Sequence, residues 1–486
     1  MENSSKPVSK KIISSLLWKF MERMGASCIQ FVLQIILARL LDPEHYGALS
    51  LMIIFTSLAT IFVQRGFNTA LIQNKDVTDE DYSSVFWVTF GVAGIIYVIL
   101  FFCAPLIAQL YQMPYIVWPF RILALMLFPG ALNSIQLAKL SRNMEFKKIF
   151  TGNLAGILTA GIISVIVALL GGGIWALVAQ NLLNILIACL VMRFTCNINL
   201  HFICNLKRVK VLFSYGWKLL VSGIIDAIYQ DIRSLFIGIK YNSATLGYYD
   251  RGKQFPNFLT NSINLSVKSV MLSAMAAEQE DKTKIKSMMR TSISLTCYLL
   301  FPVMAGLAGV ASPLVELILG EKWLPCVPFL QIYCFTYAFY PVHSCNIQAI
   351  NAIGRSDIYL KLEIIKKSYG LIALLIAVFC FDNPIAIALT GIITTVISCF
   401  INASPNKKLV GYAYIDQIKD YLPSFLSAMF MLICVHAILR FNLSLWLTLI
   451  LQILVGIVVY LCISVIFKIK PFLILFQYVK KFLKKR

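Results

Sequence analysis

The sequence predicts an all-α polytopic membrane protein with about fourteen transmembrane helices. The first observation is composition, because 59% of the 486 residues are hydrophobic and 13% are charged, whereas about a quarter of the residues of soluble domains are charged. The second is the recurrence of apolar windows of about twenty residues along the whole chain. The third is a pattern of polar residues that returns in the second half. We therefore expect two parallel-repeat six-helix bundles around a central cavity, plus two C-terminal helices.

The apolar windows place the membrane spans in order along the chain. Several windows exceed the length that a bilayer requires, so tilt or extension beyond the bilayer is expected. The predicted spans lie near residues 14–41, 45–71, 83–110, 115–138, 149–170, 174–194, 212–239, 245–271, 290–311, 325–350, 358–381, 384–404, 422–439 and 444–467.

Basic residues predict the orientation. With the N-terminus inside, the segments on the cytoplasmic side carry nearly all of the loop Lys and Arg residues, and both termini are predicted to be cytoplasmic. The N-terminal segment is polar and basic, so no removable signal peptide is expected. In a soluble protein, the net charge of +21 would suggest binding to nucleic acid. In this membrane protein we attribute the charge to Lys and Arg residues in cytoplasmic loops, which contact anionic lipid head groups. The loops predicted on the other side of the membrane contain only four basic residues, Arg39, Lys240, Lys322 and Arg440.

Similar segments occur in the same order in the two halves of the chain. The stretch from Trp18-Lys19 to Gly47 matches the stretch from Trp217-Lys218 to Gly247, and Phe128-Pro129 matches Tyr340-Pro341. An ordered series of this kind indicates a duplicated bundle. The predicted organisation is a first bundle over 1–195, a cytoplasmic linker over 196–211, a second bundle over 212–404, two extra helices over 405–470 and a basic amphipathic tail over 471–486.

The first span has one polar face and is otherwise apolar. At about 3.6 residues per turn, its polar side chains recur every three or four residues. A charge near the bilayer centre costs about 2.5–3.5 kcal/mol, so this face must meet other helices or a wet cavity. Its members are Lys19, Arg23, Ser27, Gln30 and Gln34, with Glu22 beside them.

Three further spans carry similar polar faces, and together the four belong to the first and second helices of each half. The second span has Thr56, Thr60, Gln64 and Asn68, with Arg65 adjoining; the seventh has Lys218, Ser222, Asp226, Gln230 and Arg233; the eighth has Asp250, Lys253, Gln254, Asn257, Asn261, Asn264 and Lys268. Four such faces most simply line one water-filled cavity between the halves. Its excess of cations beside amides suits a ligand with both phosphates and hydroxyls. The alternative is that some of these residues only hold helices together.

Motifs for catalysis are missing from the sequence. There is no GxxxxGK[ST] phosphate loop, and no loop exceeds about twenty residues, which leaves no room for a nucleotide-sugar domain. The thirteen cysteines contain no CxxC pair and look like small hydrophobic residues rather than disulfides or metal ligands. The four histidines are isolated. We therefore expect no enzyme, no cofactor and no metal.

Several runs of the sequence resemble a known family. The run from Leu37-Ala38-Arg39 to Tyr46-Gly47, followed by Gly66-Phe67-Asn68-Thr69-Ala70 and Ser84-Val85-Phe86-Trp87, resembles the Wzx-type polysaccharide exporters, particularly the WzxC-like branch. The resemblance covers nearly the whole chain and is most specific in the first 150 residues. These exporters belong to the MOP superfamily, with the MATE drug exporters and the MurJ-type lipid II flippases.

The resemblance implies a function and a location. It implies a bacterial inner-membrane flippase that moves oligosaccharide units linked to undecaprenyl pyrophosphate to the periplasmic leaflet, by alternating access coupled to an ion gradient. The implied partners are this lipid-linked substrate, membrane lipids, H⁺ or Na⁺, and other polysaccharide-assembly proteins, with no nucleic acid. Cations then suit the pyrophosphate and amides suit the glycan. The substrate-binding candidates are Lys19, Arg23, Gln30, Gln34, Gln64, Arg65, Asn68, Lys218, Arg233, Lys253, Asn257, Asn261 and Lys268, and the ion-coupling candidates are Glu22, Asp226 and Asp250.

Two alternatives remain open. A MATE-like drug exporter would share the fold but would need a smaller, more acidic or aromatic pocket for organic cations. A membrane-embedded polymerase or ligase of lipid-linked glycans would need a long external loop with basic residues, and the sequence has none.

Overall fold

A computed structural model describes residues 18, 25–64, 67–73, 77–196, 198, 200–441 and 443–483 of the chain. Over these residues all regular structure is helical, and no strand occurs among them. Helices are the expected form, because an apolar segment in lipid must satisfy its backbone polar groups internally. The prediction of an all-α membrane protein is therefore confirmed.

The chain divides into two compact units, Met1–Gly247 and Tyr248–Arg486, and the boundary falls near the start of one long helix. The first unit ends with the first turn of that helix. Before it, this unit contains α1 (Gly25–Leu40), α2 (Pro43–Gln64), α3 (Phe67–Gln73), α4 (Asp79–Leu110), α5 (Val117–Ala124), α6 (Leu127–Arg142), α7 (Phe146–Leu169), α8 (Ile174–Thr195) and α9 (Leu206–Lys240).

The long helix at the boundary is α10, and the second unit contains most of it. Short 3₁₀ turns occur at Pro114–Ile116 in the first unit and at Glu321–Cys326 and Ile438–Phe441 in the second. The remaining helices are α10 (Ser243–Ala277), α11 (Lys282–Gly309), α12 (Ala311–Ile318), α13 (Val327–Ala338), α14 (Tyr340–Ala352), α15 (Ser356–Cys380), α16 (Pro384–Leu409), α17 (Tyr414–Ala437), α18 (Leu445–Ile466) and α19 (Lys470–Leu483).

Within the described part of the chain, nine helical segments are long and apolar enough to cross a membrane. The other predicted spans correspond to α1, to the short pair α13 and α14, and to α9, α10 and α15, which carry charges within their apolar stretches. The number of fourteen spans and the repeat therefore stay predictions. The nine segments are Pro43–Gln64, Asp79–Leu110, Pro114–Arg142, Phe146–Leu169, Ile174–Thr195, Lys282–Gly309, Pro384–Leu409, Tyr414–Phe441 and Leu445–Ile466.

The predicted spans 115–138 and 325–350 are each divided into two helices. In the first, α5 ends at Ala124 and α6 begins two residues before Pro129; in the second, α13 and α14 are separated at Phe339, just before Pro341. Proline fits the first turn of a helix, where its missing N–H is not needed, but it does not fit a helix interior. The two halves therefore place an equivalent proline at an equivalent helix break.

Two glycines at matching positions of the two halves contact each other inside the first unit. A Cβ on Gly47 would lie 1.7 Å from the carbonyl oxygen of Ser243, and a Cβ on Gly247 would lie 2.2 Å from the carbonyl oxygen of Pro43. Both obstacles are backbone atoms, which no side-chain rotation can remove. The starts of α2 and α10 therefore approach as closely as glycine alone permits.

Small residues bring α7 and α8 together in the first unit. Gly152, Gly156 and Ala160 recur every four residues along α7 and are buried. A Cβ on Gly156 would lie 2.5 Å from the carbonyl oxygen of Asn184 in α8. Since membrane helices gain little from the hydrophobic effect, such close backbone approach is how they pack.

A buried amide cluster joins α17 to α14 and α16 in the second unit. The Asn346 side-chain nitrogen donates to Gln417 Oε1 at 2.8 Å, and Gln417 Nε2 donates back to Asn346 Oδ1 at 2.9 Å. Asn406 Nδ2 also donates to Asn346 Oδ1, at 2.7 Å. All three residues are fully buried. Hydrogen bonds between helices thus fix the position of α17, the first of the two helices predicted beyond the second bundle.

Replacing Gln417 with leucine should destabilise the second unit. The change leaves the Asn346 amide with fewer buried partners, and an unmade buried hydrogen bond costs about 1–2 kcal/mol. Denaturation in mixed micelles would measure the loss, with Lys419→Gln as a control because Lys419 is exposed on the same helix. Equal stability of the two variants would contradict a structural role for the amide cluster.

Candidate functional site

The predicted site residues differ in how far the structure describes them. Lys19, Glu22, Arg23 and Arg65 lie outside the described residues, and so do the side chains of Lys218 and Lys268, whose backbones are helical. The other candidates are described and lie in both units. Their roles as substrate or coupling groups stay predictions.

The polar face of α9 in the first unit is accessible. Ser222 and Gln230 are exposed, and Asp226 and Arg233 are partly exposed. Asp226 and Arg233 each have an interaction partner within the protein. Accessible groups that recur every three or four residues form one helical face, which presents a carboxylate, an amide and a guanidinium side by side.

The α1 candidates are accessible as well, whereas Thr56 and Gln64 of α2 are used in hydrogen bonds within the protein. Gln30 and Gln34 are partly exposed on α1. On α2, the buried Thr56 hydroxyl donates to the Met52 carbonyl at 2.9 Å. Gln64 Nε2 donates to the Gly130 carbonyl of α6 at 3.3 Å. Gln64 therefore holds two helices together in this structure.

Asn68 is partly exposed on the short helix α3. This helix packs against α6 and α9. Asn68 therefore lies on an accessible part of the same unit as the α9 face.

The polar face of α10 lies in the second unit and is also accessible. Asp250, Lys253 and Asn257 are partly exposed and Asn261 is exposed. Asn261 Nδ2 donates to Asn257 Oδ1 at 2.9 Å, which orients the two amides. Asp250 has an interaction partner within the protein. The face combines a cation with paired amides, groups that bind phosphate and sugar hydroxyls.

The opposite face of α10 explains why this helix presents its polar residues. A Cβ on Gly252 would lie 2.6 Å from Phe329 Cβ and 2.7 Å from the Leu330 backbone nitrogen of α13. The Tyr249 ring is buried and contacts Tyr333 by a hydrogen bond between their hydroxyls. With one face packed this closely on α13, the polar residues face away from the packing.

Metal chemistry has no support in the described residues. Among them, no group of three or more His, Cys, Asp or Glu side chains is arranged to hold a metal ion.

Sequence reasoning missed a buried cation on α10. Arg251 is only 4% exposed. Its guanidinium lies 5.6 Å from the centre of the Trp323 ring and donates to Gln254 Oε1. A cation over an aromatic face is stabilised by the ring quadrupole. The sequence feature that could have indicated this cation is an arginine inside a predicted span, Arg251, three residues before Gln254.

An ion pair between α4 and α9 was also missed. Arg208 Nε donates to Asp81 Oδ1 at 2.5 Å and its Nη2 donates to Asp81 Oδ2 at 2.7 Å. The Asp81 side chain is only 2% exposed, and its Oδ2 also accepts from the Thr78 backbone at 2.9 Å. Such a bidentate pair has a fixed geometry. It anchors the start of α9 to the start of α4.

The residues that follow Asp81 bind the segment before α9. Ser83 Oγ accepts from the His201 backbone at 3.0 Å, and Ser84 Oγ accepts from the Asn205 backbone at 2.9 Å. Trp87 Nε1 donates to the His201 carbonyl at 3.0 Å, and the Trp87 ring stacks on Phe202 with centroids 4.4 Å apart. We name the contacts of residues 81–87 with residues 201–208 the linker clamp. The Ser84–Trp87 part of the family resemblance thus has a structural role.

A second polar cluster lies at the junction of α16 and α17. Arg290 Nε donates to Asp420 Oδ2 at 2.7 Å, and the Tyr412 hydroxyl donates to the same oxygen at 2.7 Å. Burial raises the pKa of Tyr412 far above its usual value, and the hydrogen bond to Asp420 raises it further. Tyr412 therefore stays a neutral donor at physiological pH.

Comparison with known proteins identifies relatives along most of the chain. Residues 36–328 match the polysaccharide biosynthesis protein family. The chain is 24% identical to the succinoglycan biosynthesis transport protein ExoT of Rhizobium meliloti (strain 1021), over 87% of this chain and 83% of ExoT. It is 23% identical to the lipopolysaccharide biosynthesis protein WzxC of Escherichia coli (strain K12), over 86% of each chain. The resemblance found in the sequence is confirmed.

Solved structures show the fold. The lipid II flippase MurJ in an inward closed conformation has a TM-score of 0.77 at 17% identity, over 93% of this chain and 98% of that chain. An inward-facing MATE family multidrug transporter of the MOP superfamily has a TM-score of 0.60 at 15% identity, over 78% of this chain and 95% of that chain. A matching family over more than half of the sequence, together with this fold, shows that the chain belongs to the polysaccharide biosynthesis protein family and has a MOP-type fold.

Proposed function

We propose that the protein is a flippase that moves a lipid-linked oligosaccharide unit across the bacterial inner membrane for assembly of a surface polysaccharide such as O-antigen, capsule or exopolysaccharide. The cargo is an oligosaccharide on undecaprenyl pyrophosphate, and transport from the cytoplasmic to the periplasmic leaflet is coupled to H⁺ or Na⁺. The protein acts as a transporter and not as an enzyme. Membrane lipids and other polysaccharide-assembly proteins are its partners.

The proposal includes the finer architecture. Fourteen spans form two parallel six-helix repeats and two extra helices, with both termini in the cytoplasm. The accessible polar faces of α1, α9 and α10 line one hydrated passage, while Thr56 and Gln64 of α2 make hydrogen bonds within the protein. Cations bind the pyrophosphate and amides bind the glycan, while Asp226, Asp250 and Glu22 are the coupling candidates.

The observation that carries the proposal is a pair of accessible polar faces, on α9 and α10, in a membrane protein of a polysaccharide biosynthesis family. Side chains such as Asp226, Arg233 and Lys253 are costly in hydrocarbon, so a helix keeps them only where they meet water, ligand or another polar group. In the sequence the four predicted faces together carry more cations than acids, which favours a ligand with phosphates over the organic cations that a drug exporter would carry.

A leaflet assay tests the function. Deletion of the protein should leave lipid-linked repeat units in the cytoplasmic leaflet, where an added membrane-impermeant glycosidase or lectin cannot reach them in spheroplasts. Loss of a polymerase would instead leave single units accessible outside. Normal export of the units without the protein would refute a flippase.

Replacement of Arg233 with alanine should reduce export of the lipid-linked units to about a tenth or less, because a charge-assisted contact with phosphate contributes about 1.5–3 kcal/mol. Membrane insertion should be unchanged. Lys210→Ala is the matched control, since Lys210 is an exposed cation of α9 outside the predicted span. Equal export by Arg233→Ala and Lys210→Ala would show that Arg233 does not bind the substrate.

A further inference from the structure

A cavity of about 620 Å³ lies in the second unit between α11, α13 and α17. It is separate from the polar face of α10, since none of its lining residues belongs to that helix. No role in the proposed transport cycle uses it.

The walls of the cavity are mainly apolar, and large aromatic and small alanine side chains determine its shape. Phe301 and Phe335 each pack against Phe425, with ring centroids 5.5 and 6.4 Å apart, and all three line the cavity. Further along α11, Ala305 and Ala308 line it. These short side chains leave open the space that larger residues would fill. The cavity thus accepts a long apolar group and offers nothing to a glycan.

Polar groups occur at one end only. Gln331, His436 and Arg440 line the cavity there. Gln331 Nε2 is already used, because it donates to the Ala308 carbonyl at 3.2 Å. The Arg440 side chain is exposed, and it makes no hydrogen bond or ion pair with any residue that the structure describes. A guanidinium with five free donors therefore stands at the mouth of an apolar cavity.

The cavity opens toward the lipid-facing side of α17. Leu426, Phe430 and Ile433 are exposed apolar residues on this helix, and Ile433 also lines the cavity. From Phe425 to Arg440, α17 and the 3₁₀ turn that follows it advance by about 24 Å. The hydrocarbon core is about 30 Å thick and one leaflet is about half of that, so the cavity is long enough to hold one acyl chain.

We propose that this cavity binds one anionic phospholipid, with an acyl chain between α11, α13 and α17 and its phosphate at Arg440. Guanidinium groups bind phosphate oxygens through paired hydrogen bonds, and the apolar walls suit an acyl chain. The lipid is a resident ligand and not the cargo, so this inference goes beyond the proposed function. In the predicted topology it comes from the periplasmic leaflet.

Native mass spectrometry of the purified full-length protein tests the site. Phosphatidylglycerol and phosphatidylcholine with identical acyl chains are added separately and then together. The wild-type protein should retain phosphatidylglycerol about tenfold more than phosphatidylcholine, because one charge-assisted contact separates the two lipids. Arg440→Gln should remove this preference, and Arg440→Lys should keep most of it.

A filling variant tests the cavity itself. Ala305→Phe places a ring in the chain-binding space and should reduce retention of both lipids severalfold, while the Arg440 variants change only the preference between them. Lys322→Gln is the charge control, since Lys322 lies in the second unit but does not line the cavity. It should behave as the wild type.

Several outcomes would overturn the inference. Equal retention of the two lipids by the wild-type protein would exclude a head-group site. Loss of the preference in Lys322→Gln as well as in Arg440→Gln would assign it to general surface charge. Displacement of phosphatidylglycerol by equimolar undecaprenyl phosphate would assign the cavity to an isoprenyl carrier. Any of these results leaves the leaflet assay for transport unaffected.

Discussion

Replacing Gly47 with alanine is expected to lower the stability of the first unit by at least about 3 kcal/mol, at the upper end of what overpacking usually costs. The added Cβ would lie 1.7 Å from the Ser243 carbonyl oxygen, which cannot move without the start of α10. In an ordinary helix the same change stabilises by about 1 kcal/mol, because alanine loses less backbone entropy than glycine. A loss of stability in Gly47→Ala, instead of a gain, would therefore show that α2 and α10 are in close contact at this glycine.

Denaturation in mixed micelles would measure this change. Gly91→Ala on α4 is the matched control, since a Cβ there meets nothing within 4 Å, and it should be neutral or stabilising. Gly247→Ala should resemble Gly47→Ala, and the double variant should cost less than the sum because both changes disrupt one contact. A Gly47→Ala protein as stable as Gly91→Ala would show that α2 and α10 do not meet in this way.

Replacing Asp81 with asparagine is expected to release the linker clamp, at a cost of about 2–3 kcal/mol. The neutral side chain keeps its shape but loses the charge that holds Arg208. Because the Arg208 side chain is 45% exposed, solvent already screens part of the attraction, so a larger loss is not expected.

Limited trypsin digestion would detect the released clamp, because the variant keeps the cleavage sites at Lys207, Arg208 and Lys210. Cleavage of this segment should become severalfold faster than in the wild type. Glu80→Gln removes a neighbouring, exposed carboxylate and should leave the rate unchanged. The clamp would be disproved if the two variants were cleaved at the same rate.

The helical membrane fold was predictable because lipid imposes it. A bilayer accepts only apolar segments of a certain length with satisfied backbones, so hydropathy alone located α4, α7 and α8 well. The break at Phe339 was less predictable. Pro341 suggested a kink, but whether a proline bends a helix or begins a new one depends on tertiary packing.

The candidate site was only partly predictable, since periodicity identifies a face but not its surroundings. Gln64 and Asp226 follow the same spacing, yet Gln64 contacts α6 through a hydrogen bond, while α9 keeps Asp226 partly exposed. Arg251 belongs to the same run as Lys253 but is buried against Trp323. These differences depend on neighbours distant in sequence.

The linker clamp also has a consequence for biosynthesis. Asp81, Ser83, Ser84 and Trp87 precede the segment that they bind by more than a hundred residues. When the ribosome reaches Arg208, these four partners of that segment have already been made. Residues of α4 can therefore bind the segment before α9 during translation, before the second unit has been synthesised.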